Sequence, residues 1–145
     1  MSVVPHYVLP VAATANGIFA GLGLTINAVT VPALRAGGYP ASSWAVTYKN
    51  GSKIGIATII ISSFAHFYTY HLTKNHRSLC CGILSLISFP YTIIFMKPTN
   101  DRLHALNAQL SPDQKEVVQL VEKWDKLQMF RTAAGTLAFV LTVFY

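Results

Sequence analysis

Four long apolar runs divide the chain, at residues 8–34, 51–72, 79–96 and 127–145. An α-helix needs about 20 mostly apolar residues to cross the roughly 30 Å hydrocarbon core of a bilayer, and each run approaches or exceeds that length. Charged residues make up only 11% of the chain, against about 25% in an average soluble domain. The pattern predicts an all-α fold, an integral membrane four-helix bundle that forms a single domain over residues 1–145.

Between the third and fourth runs the sequence changes character, because charges of both signs return over residues 101–125. Leucine, valine and tryptophan recur there at near-helical spacing, which is typical of an amphipathic helix at a membrane surface. Ser111, Pro112 and Gln114 give the pattern of an N-cap, a proline in the first turn and a capping-box glutamine. We therefore expect an interfacial helical segment that begins anew near Ser111 and runs into the fourth span.

The positive charges are distributed unevenly between the two ends of such a bundle. Nine of the eleven Lys and Arg residues lie in or beside the connections 35–50 and 97–126, and two lie in the turn between the second and third runs. By the positive-inside rule the two connections face the cytoplasm. We expect a multi-pass protein of an endomembrane, either the endoplasmic reticulum or a vesicle, with the lipid bilayer as its surroundings. The net charge of +6 indicates topology rather than nucleic-acid binding, because the basic residues do not form a patch with interleaved aromatics.

The same topology gathers polar and aromatic residues at one end of the bundle. The first and third spans end there, and the second and fourth begin there. The candidates at this end are Asn27, Trp44, Tyr48, Thr99, Asn100, Trp124, Gln128 and Arg131. Polar donors, aromatic walls and one permanent cation suit a flat, apolar, phenolic small molecule. The sequence thus predicts a ligand pocket at the cytoplasmic end.

Short motifs at this end are more distinctive than the composition. A Pro-Thr-Asn-x-x-Leu box occupies residues 98–103, shortly after Tyr91 in the third run, and Trp124 precedes Arg131 by seven residues. Together with a glycine-rich first run that ends near a proline, these features resemble the anthrone oxygenase family of small four-helix membrane proteins. The resemblance covers essentially the whole chain, and the Pro-Thr-Asn box is its sharpest element.

The resemblance implies an oxygenase that converts an anthrone-like polycyclic phenol to a quinone in a polyketide pathway of secondary metabolism. Dioxygen is then the co-substrate, with no metal or flavin cofactor. Arg131 would stabilise the substrate anion, and Asn100 and Gln128 would hydrogen-bond its carbonyl and phenol groups. Gln128 stands where the family often carries His or Asn and cannot act as a base, so His104 is the candidate base. The substrate-binding residues would be Asn27, Trp44, Tyr48, Tyr91, Thr99 and Trp124.

These residues also have purely structural interpretations. Pro98 can end the third helix, with Thr99 or Asn100 capping the next one. Arg131 can simply reach the membrane surface along its aliphatic stem. The tryptophans and Tyr48 can form an ordinary interfacial aromatic belt.

Three alternatives to the oxygenase remain open. One is a membrane-embedded isomerase or cyclase of a polyketide or terpenoid pathway, and another is a non-enzymatic scaffold or accessory subunit that uses the segment 101–124. The third is transport, which ranks last because four short spans without a charged residue in their middles offer a poor path for a solute. Homo-oligomerisation is compatible with each. A metal site is not supported, because His66, His71 and His76 are spaced by five residues rather than four. We expect His66 to be buried and hydrogen-bonded within its span.

Overall fold

The computed structural model describes residues 4–144, and within that range the chain is helical with no strand. The four helices are α1 (Val8–Ala36), α2 (Ala41–Thr73), α3 (His76–Asn107) and α4 (Gln114–Val143). They pack side by side as a bundle with short connections. The prediction of an all-α chain with four helices is confirmed. Two of the helices, α1 and α3, are long and apolar enough to cross a membrane.

The first connection is much shorter than the predicted 35–50. Gly38 and Tyr39 adopt positive φ angles of 76° and 57°, which reverse the direction of the chain, and the reversal is complete at Pro40. The helix then begins at Ala41, and Trp44 on its first turn is fully buried against the other helices. The expected loop with an aromatic belt is therefore the first three turns of α2.

The structure also corrects the predicted interfacial helix over residues 101–125. The first part of that segment is the end of α3, and the last part is the beginning of α4, which starts at Gln114 with the side chain of Asp113 accepting a hydrogen bond from the Lys115 amide. Ser111 is not the cap. The apolar positions of the segment, such as Leu103 and Val121, are buried among the four helices, so their partner is the rest of the bundle.

A wide π-helical turn explains why α3 does not end at Pro98. In α3 the amide of Lys97 donates to the carbonyl of Thr92, five residues earlier, and Pro98 follows directly. The same arrangement occurs in α1, where Val31 donates to Ile26 ahead of a proline. Proline removes a backbone donor and crowds the preceding turn of a regular helix, and a wide turn relieves that crowding. The helix can therefore continue through the Pro-Thr-Asn box.

The two ends of the bundle are packed differently. At the end formed by the chain reversals near residues 37–40 and 108–113, a hydrophobic cluster closes the bundle, which we call the end core. Its members are Ile26, Val31, Leu34, Trp44, Met96, Leu103, Leu106, Val117, Val121 and Trp124.

Near the opposite end a polar cluster joins all four helices. The amide nitrogen of Asn16 donates to His66 Nε2 at 3.0 Å, the Ser85 hydroxyl donates to Asn16 Oδ1 at 2.9 Å, and the Thr142 hydroxyl lies 3.1 Å from the same imidazole nitrogen. The prediction that His66 is buried and hydrogen-bonded is confirmed. This cluster fixes the register of the helices at that end.

Candidate functional site

A cavity of about 270 Å³ lies between the end core and the polar cluster, and all four helices contribute to its walls. Its volume is near the lower limit for small-molecule sites, which suits a compact ligand. The lining residues are Phe19, Leu22, Gly23 and Ile26 of α1; Thr47, Tyr48, Gly51, Ser52, Ile56 and Ile59 of α2; Ser88, Phe89, Thr92, Ile93, Lys97, Asn100 and Asp101 of α3; and Trp124, Gln128 and Arg131 of α4.

Four lining residues carry buried polar atoms that have no hydrogen-bond partner among the described residues. They are Ser88 Oγ, Asn100 Oδ1, Trp124 Nε1 and Arg131 Nε. A buried polar atom without a partner costs about 1–3 kcal/mol, and such atoms are rare in proteins. Residues 4–144 hold further such atoms away from the cavity, among them Ser63 Oγ and Thr136 Oγ1, so the four mark the cavity as one place where a polar ligand would supply missing partners.

Arg131 gives the cavity an uncompensated positive charge. Its Nη1 donates to Gln128 Oε1 at 2.9 Å, and the guanidinium lies 5.5 Å from the centroid of the Phe19 ring. No ion pair joins it to a carboxylate within the described residues. A guanidinium that is held by an amide and an aromatic ring, in a cavity with apolar walls, favours an anionic ligand.

Aromatic rings support one wall of the cavity. Tyr48 and Trp124 line it, and Trp44 lies behind both, stacked on Tyr48 at a centroid distance of 5.3 Å. The His104 ring packs edge-on against Trp44 and Tyr48 at 4.9 and 5.0 Å. His104 is exposed and does not line the cavity, so the predicted base lies on the outer side of the aromatic wall.

The structure therefore brings together five of the predicted site residues, namely Tyr48, Asn100, Trp124, Gln128 and Arg131. Tyr91 instead stacks on Phe130 at 4.3 Å, and Thr99 is buried beside the cavity without contributing to its lining. Both lie on α3 within a few turns of Asn100, and the rotation of the helix directs them elsewhere.

Asn27 contacts residues of α4 that do not line the cavity. Its amide nitrogen donates to the buried Asp125 carboxylate at 2.7 Å, and its oxygen accepts from Thr132 at 2.6 Å. Asp125 in turn accepts from Arg35 at 3.1 Å. Asn27 thus joins α1 to α4 behind the site and does not line the cavity.

Sequence reasoning missed several lining residues, chiefly Lys97 and Asp101, which form an ion pair at 2.5 Å on the rim. Their spacing of four residues was a readable signal for an ion pair on one helix face. The sequence does not show that this helix face borders the cavity, because the orientation of the face depends on the π turn just before Lys97. Phe19 and Ser88 lie in apolar runs whose buried faces the sequence left undefined.

A second ionic network fixes the helices outside the cavity. Arg35 donates to both oxygens of Glu122, at 2.7 and 2.8 Å, and the Tyr39 hydroxyl donates to the same carboxylate at 2.7 Å. These hydrogen bonds, with the charge of Arg35, lower the pKa of the Glu122 carboxyl to about 2. Residues 4–144 contain no group of three or more His, Cys, Asp or Glu side chains that could hold a metal ion.

The family model for anthrone oxygenase matches residues 44–141 of this chain. The chain belongs to the anthrone oxygenase family. The matched range holds the whole of the cavity lining contributed by α2, α3 and α4, including the four residues with unpartnered buried atoms, Ser88, Asn100, Trp124 and Arg131. The resemblance inferred from the sequence is confirmed.

Two curated anthrone oxygenases are similar over most of their length. One, from Claviceps purpurea (strain 20.1), is 29% identical over 137 residues, covering 84% of this chain and 79% of the relative. Another, from Cryptosporiopsis sp. (strain 8999), is 33% identical over 129 residues, covering 83% of this chain and 75% of the relative. No solved structure gives a significant match. Membership of the anthrone oxygenase family identifies the chain as an oxygenase-like enzyme of secondary metabolism.

Proposed function

We propose that this chain is a membrane-embedded oxygenase that converts an anthrone-like polycyclic phenol to a quinone without a metal or flavin cofactor. The observation that carries the proposal is the set of unpartnered polar atoms around the cavity, chiefly those of Asn100, Trp124 and Arg131. A phenolic ketone offers hydroxyl donors for Asn100 Oδ1 and an oxygen acceptor for Trp124 Nε1 and Arg131 Nε. The apolar remainder of the cavity accommodates the rings.

The membrane part of the proposal is supported by the outer surface of the bundle. Besides the two helices that are long and apolar enough to span a membrane, large apolar side chains point outward, with Phe64 74% and Ile94 64% exposed. Such side chains are favourable against hydrocarbon and unfavourable against water. We assign all four helices to the bilayer, with the end core near the cytoplasmic surface.

The proposed reaction begins with ionisation of the substrate. A base removes one proton from the methylene carbon of the anthrone, leaving an enolate whose central ring is aromatic. The enolate passes one electron to dioxygen, and the radical pair joins through a new carbon–oxygen bond to give a peroxide that takes up a proton. Loss of the second methylene proton then breaks the oxygen–oxygen bond, so the carbon becomes the quinone carbonyl and hydroxide leaves as water. One dioxygen is consumed and one water is formed per quinone.

Each polar residue has a part in this scheme. Arg131 stabilises the enolate oxygen, because its charge is fixed in a cavity whose walls are mostly apolar. Gln128 orients the guanidinium through the 2.9 Å hydrogen bond. Asp101, the one carboxylate that lines the cavity among residues 4–144, is the proposed proton acceptor. The role predicted for His104 passes to Asp101 because the imidazole lies outside the cavity.

The test is quinone formation by the full-length protein purified in detergent and treated with chelator, using emodin anthrone as substrate. We expect a rate well above the spontaneous oxidation in buffer, with one dioxygen taken up per quinone. Arg131→Gln should lower kcat/KM by about 10²–10³-fold, the usual loss for a stabilising donor of an oxyanion.

Arg102→Gln is the matched control, since Arg102 is paired with Glu116 outside the cavity. Loss of an exposed ion pair should change the rate by about twofold or less. A wild-type rate equal to that of buffer alone would refute the oxygenase. Turnover of a related ketone that persists without oxygen would favour the isomerase or cyclase.

A further inference from the structure

The route along the bundle axis into the cavity is closed at the proposed cytoplasmic end. The end core fills the space between the cavity and that end, and several of its members are completely buried, among them Val31, Trp44 and Leu103. Well-packed protein interiors have few voids larger than a water molecule. A three-ring ligand therefore cannot pass through this end without separating the helices.

The opposite end offers no better route. The polar cluster of Asn16, His66, Ser85 and Thr142 crosses the whole bundle there. Close helix approach adds to the closure, because a Cβ atom on Gly82 of α3 would lie 2.7 Å from the Phe67 ring of α2. The two helices are in direct contact below the cavity.

Beside the cavity, in contrast, lining residues of both α2 and α3 are exposed on the outer surface, and we call this side of the cavity the slit. The slit is bordered by Gly51 and Ile56 on α2 and by Phe89 and Ile93 on α3, and all four line the cavity. Ile56 is 46% exposed, Ile93 is 51% exposed and Phe89 is 46% exposed. Gly51 has no side chain, and only Ile26 Cδ1, at 3.9 Å, lies near the place where its Cβ would be. This part of the rim is therefore apolar and exposed, and no side chain covers it at Gly51.

The length of this slit determines which solvent it meets. Lining residues run from Thr47 to Ile59 on α2 and from Ser88 to Asp101 on α3, which at 1.5 Å per residue is about 18–20 Å. The polar rim residues Lys97 and Asp101 mark its end near the aqueous surface. A hydrocarbon core is about 30 Å thick, so in the proposed orientation most of the slit faces lipid tails.

We infer that the cavity is loaded from within the bilayer, through the slit between α2 and α3, by a flat apolar polycyclic molecule dissolved in the hydrocarbon. This inference rests on the proposed membrane embedding and adds the path of the substrate. Ile56, Phe89 and Ile93 form the entrance, Gly51 keeps it open, and Arg131 receives the polar edge of the ligand. The polar rim at the aqueous end is then an exit for protons and water.

The test uses Trp124 as a reporter, because its ring lines the cavity. The Trp44→Phe variant leaves Trp124 as the single tryptophan, and the full-length protein is reconstituted in phosphatidylcholine vesicles with brominated acyl chains, which quench indole fluorescence on contact. We expect strong quenching by the brominated lipid and little by acrylamide in the water. Gly51→Leu, which fills the slit, should at least halve the quenching by lipid, and Ile93→Ala, which widens it, should increase the quenching.

Gly21→Leu is the matched control, since Gly21 lies on the exposed face of α1 with nothing within 4 Å of the position that a Cβ would occupy, and it should leave the quenching unchanged. Quenching by acrylamide that exceeds quenching by lipid, or lipid quenching insensitive to both slit variants, would overturn the inference. Because the measurement requires no turnover, an active enzyme with a water-quenched Trp124 would refute only the path, whereas failure to oxidise anthrone would refute only the proposed reaction.

Discussion

The indole rings of Trp44 and Trp124 meet edge to face, with centroids 6.0 Å apart and planes at 86°. Both rings are buried, and both Nε1 atoms lack a hydrogen-bond partner among the described residues. Of the two, Trp124 alone borders the cavity. The pair thus provides two nearly equivalent side chains that differ in access to a ligand.

Replacement of each tryptophan by phenylalanine separates ligand binding from packing. Both variants lose an indole N–H and part of a ring from the same cluster, so their effects on stability should be similar. Trp124→Phe should in addition lower kcat/KM by about tenfold, the value of one hydrogen bond to the ligand, whereas Trp44→Phe should stay within about threefold of wild type. Steady-state rates and thermal unfolding of the two proteins test this. Equal losses of activity would mean that the N–H of Trp124 does not contact the substrate.

Asp101→Asn should slow the reaction by about 100-fold at neutral pH, since a positioned base contributes roughly 10²–10⁴-fold. The loss should shrink at alkaline pH, where the anthrone ionises in solution and needs no base. His104→Gln should have a much smaller effect, because His104 lies outside the cavity against Trp44. The measurement is the pH–rate profile of both variants. A larger loss in His104→Gln than in Asp101→Asn would restore the histidine as base.

Acid should weaken the bundle through Glu122. Its carboxyl pKa is lowered to about 2 in the folded protein by Arg35 and Tyr39, so its contribution to stability is fully present above the ordinary value of about 4.5 and is lost as the pH falls from there towards 2. The Tm of the wild type in detergent should therefore fall between about pH 5 and pH 2. Glu122→Gln should have a lower Tm at neutral pH and a shallower decline, and an unchanged pH dependence would contradict the assignment.

Two glycines of α1 should respond oppositely to alanine. A Cβ on Gly23 would lie 2.6 Å from Thr132 Oγ1 and 3.2 Å from the Thr132 backbone, whereas Gly21 has open space around it. Gly23→Ala should lower the free energy of unfolding by about 1–3 kcal/mol through overpacking. Gly21→Ala should raise it by about 0.5–1 kcal/mol, because alanine loses less backbone entropy in a helix. Thermal or denaturant unfolding of both variants decides the point.

Much of this architecture could be predicted from the sequence. The long apolar runs indicated the number and approximate position of the helices, because periodicity over many residues is a robust signal. The antiparallel order then placed Tyr48, Asn100 and Arg131 at a common level, where the cavity lies. The motif spacing also indicated the family that the comparison confirmed.

The errors came from local geometry that single residues do not reveal. A proline such as Pro98 commonly ends a helix, and the neighbouring residues do not predict the wide turn that lets α3 continue beyond it. His104 is near the Pro-Thr-Asn box in sequence, but helix rotation places it behind Trp44. Asn27 is predicted to contact the ligand because it lies near the end of the first run, whereas its actual partner Asp125 is 98 positions away in the sequence.

The wide turn in α3 acts as a spacer of one residue. Ser88 and Asn100 are twelve positions apart and would point about 120° away from each other on an unbroken α-helix, whereas one extra residue in a turn reduces this to about 20°. Both side chains can therefore border the same cavity. A relative that kept the twelve-residue spacing but wound this segment as a regular α-helix would retain every functional side chain in its sequence, and Ser88 and Asn100 would nevertheless point about 120° apart.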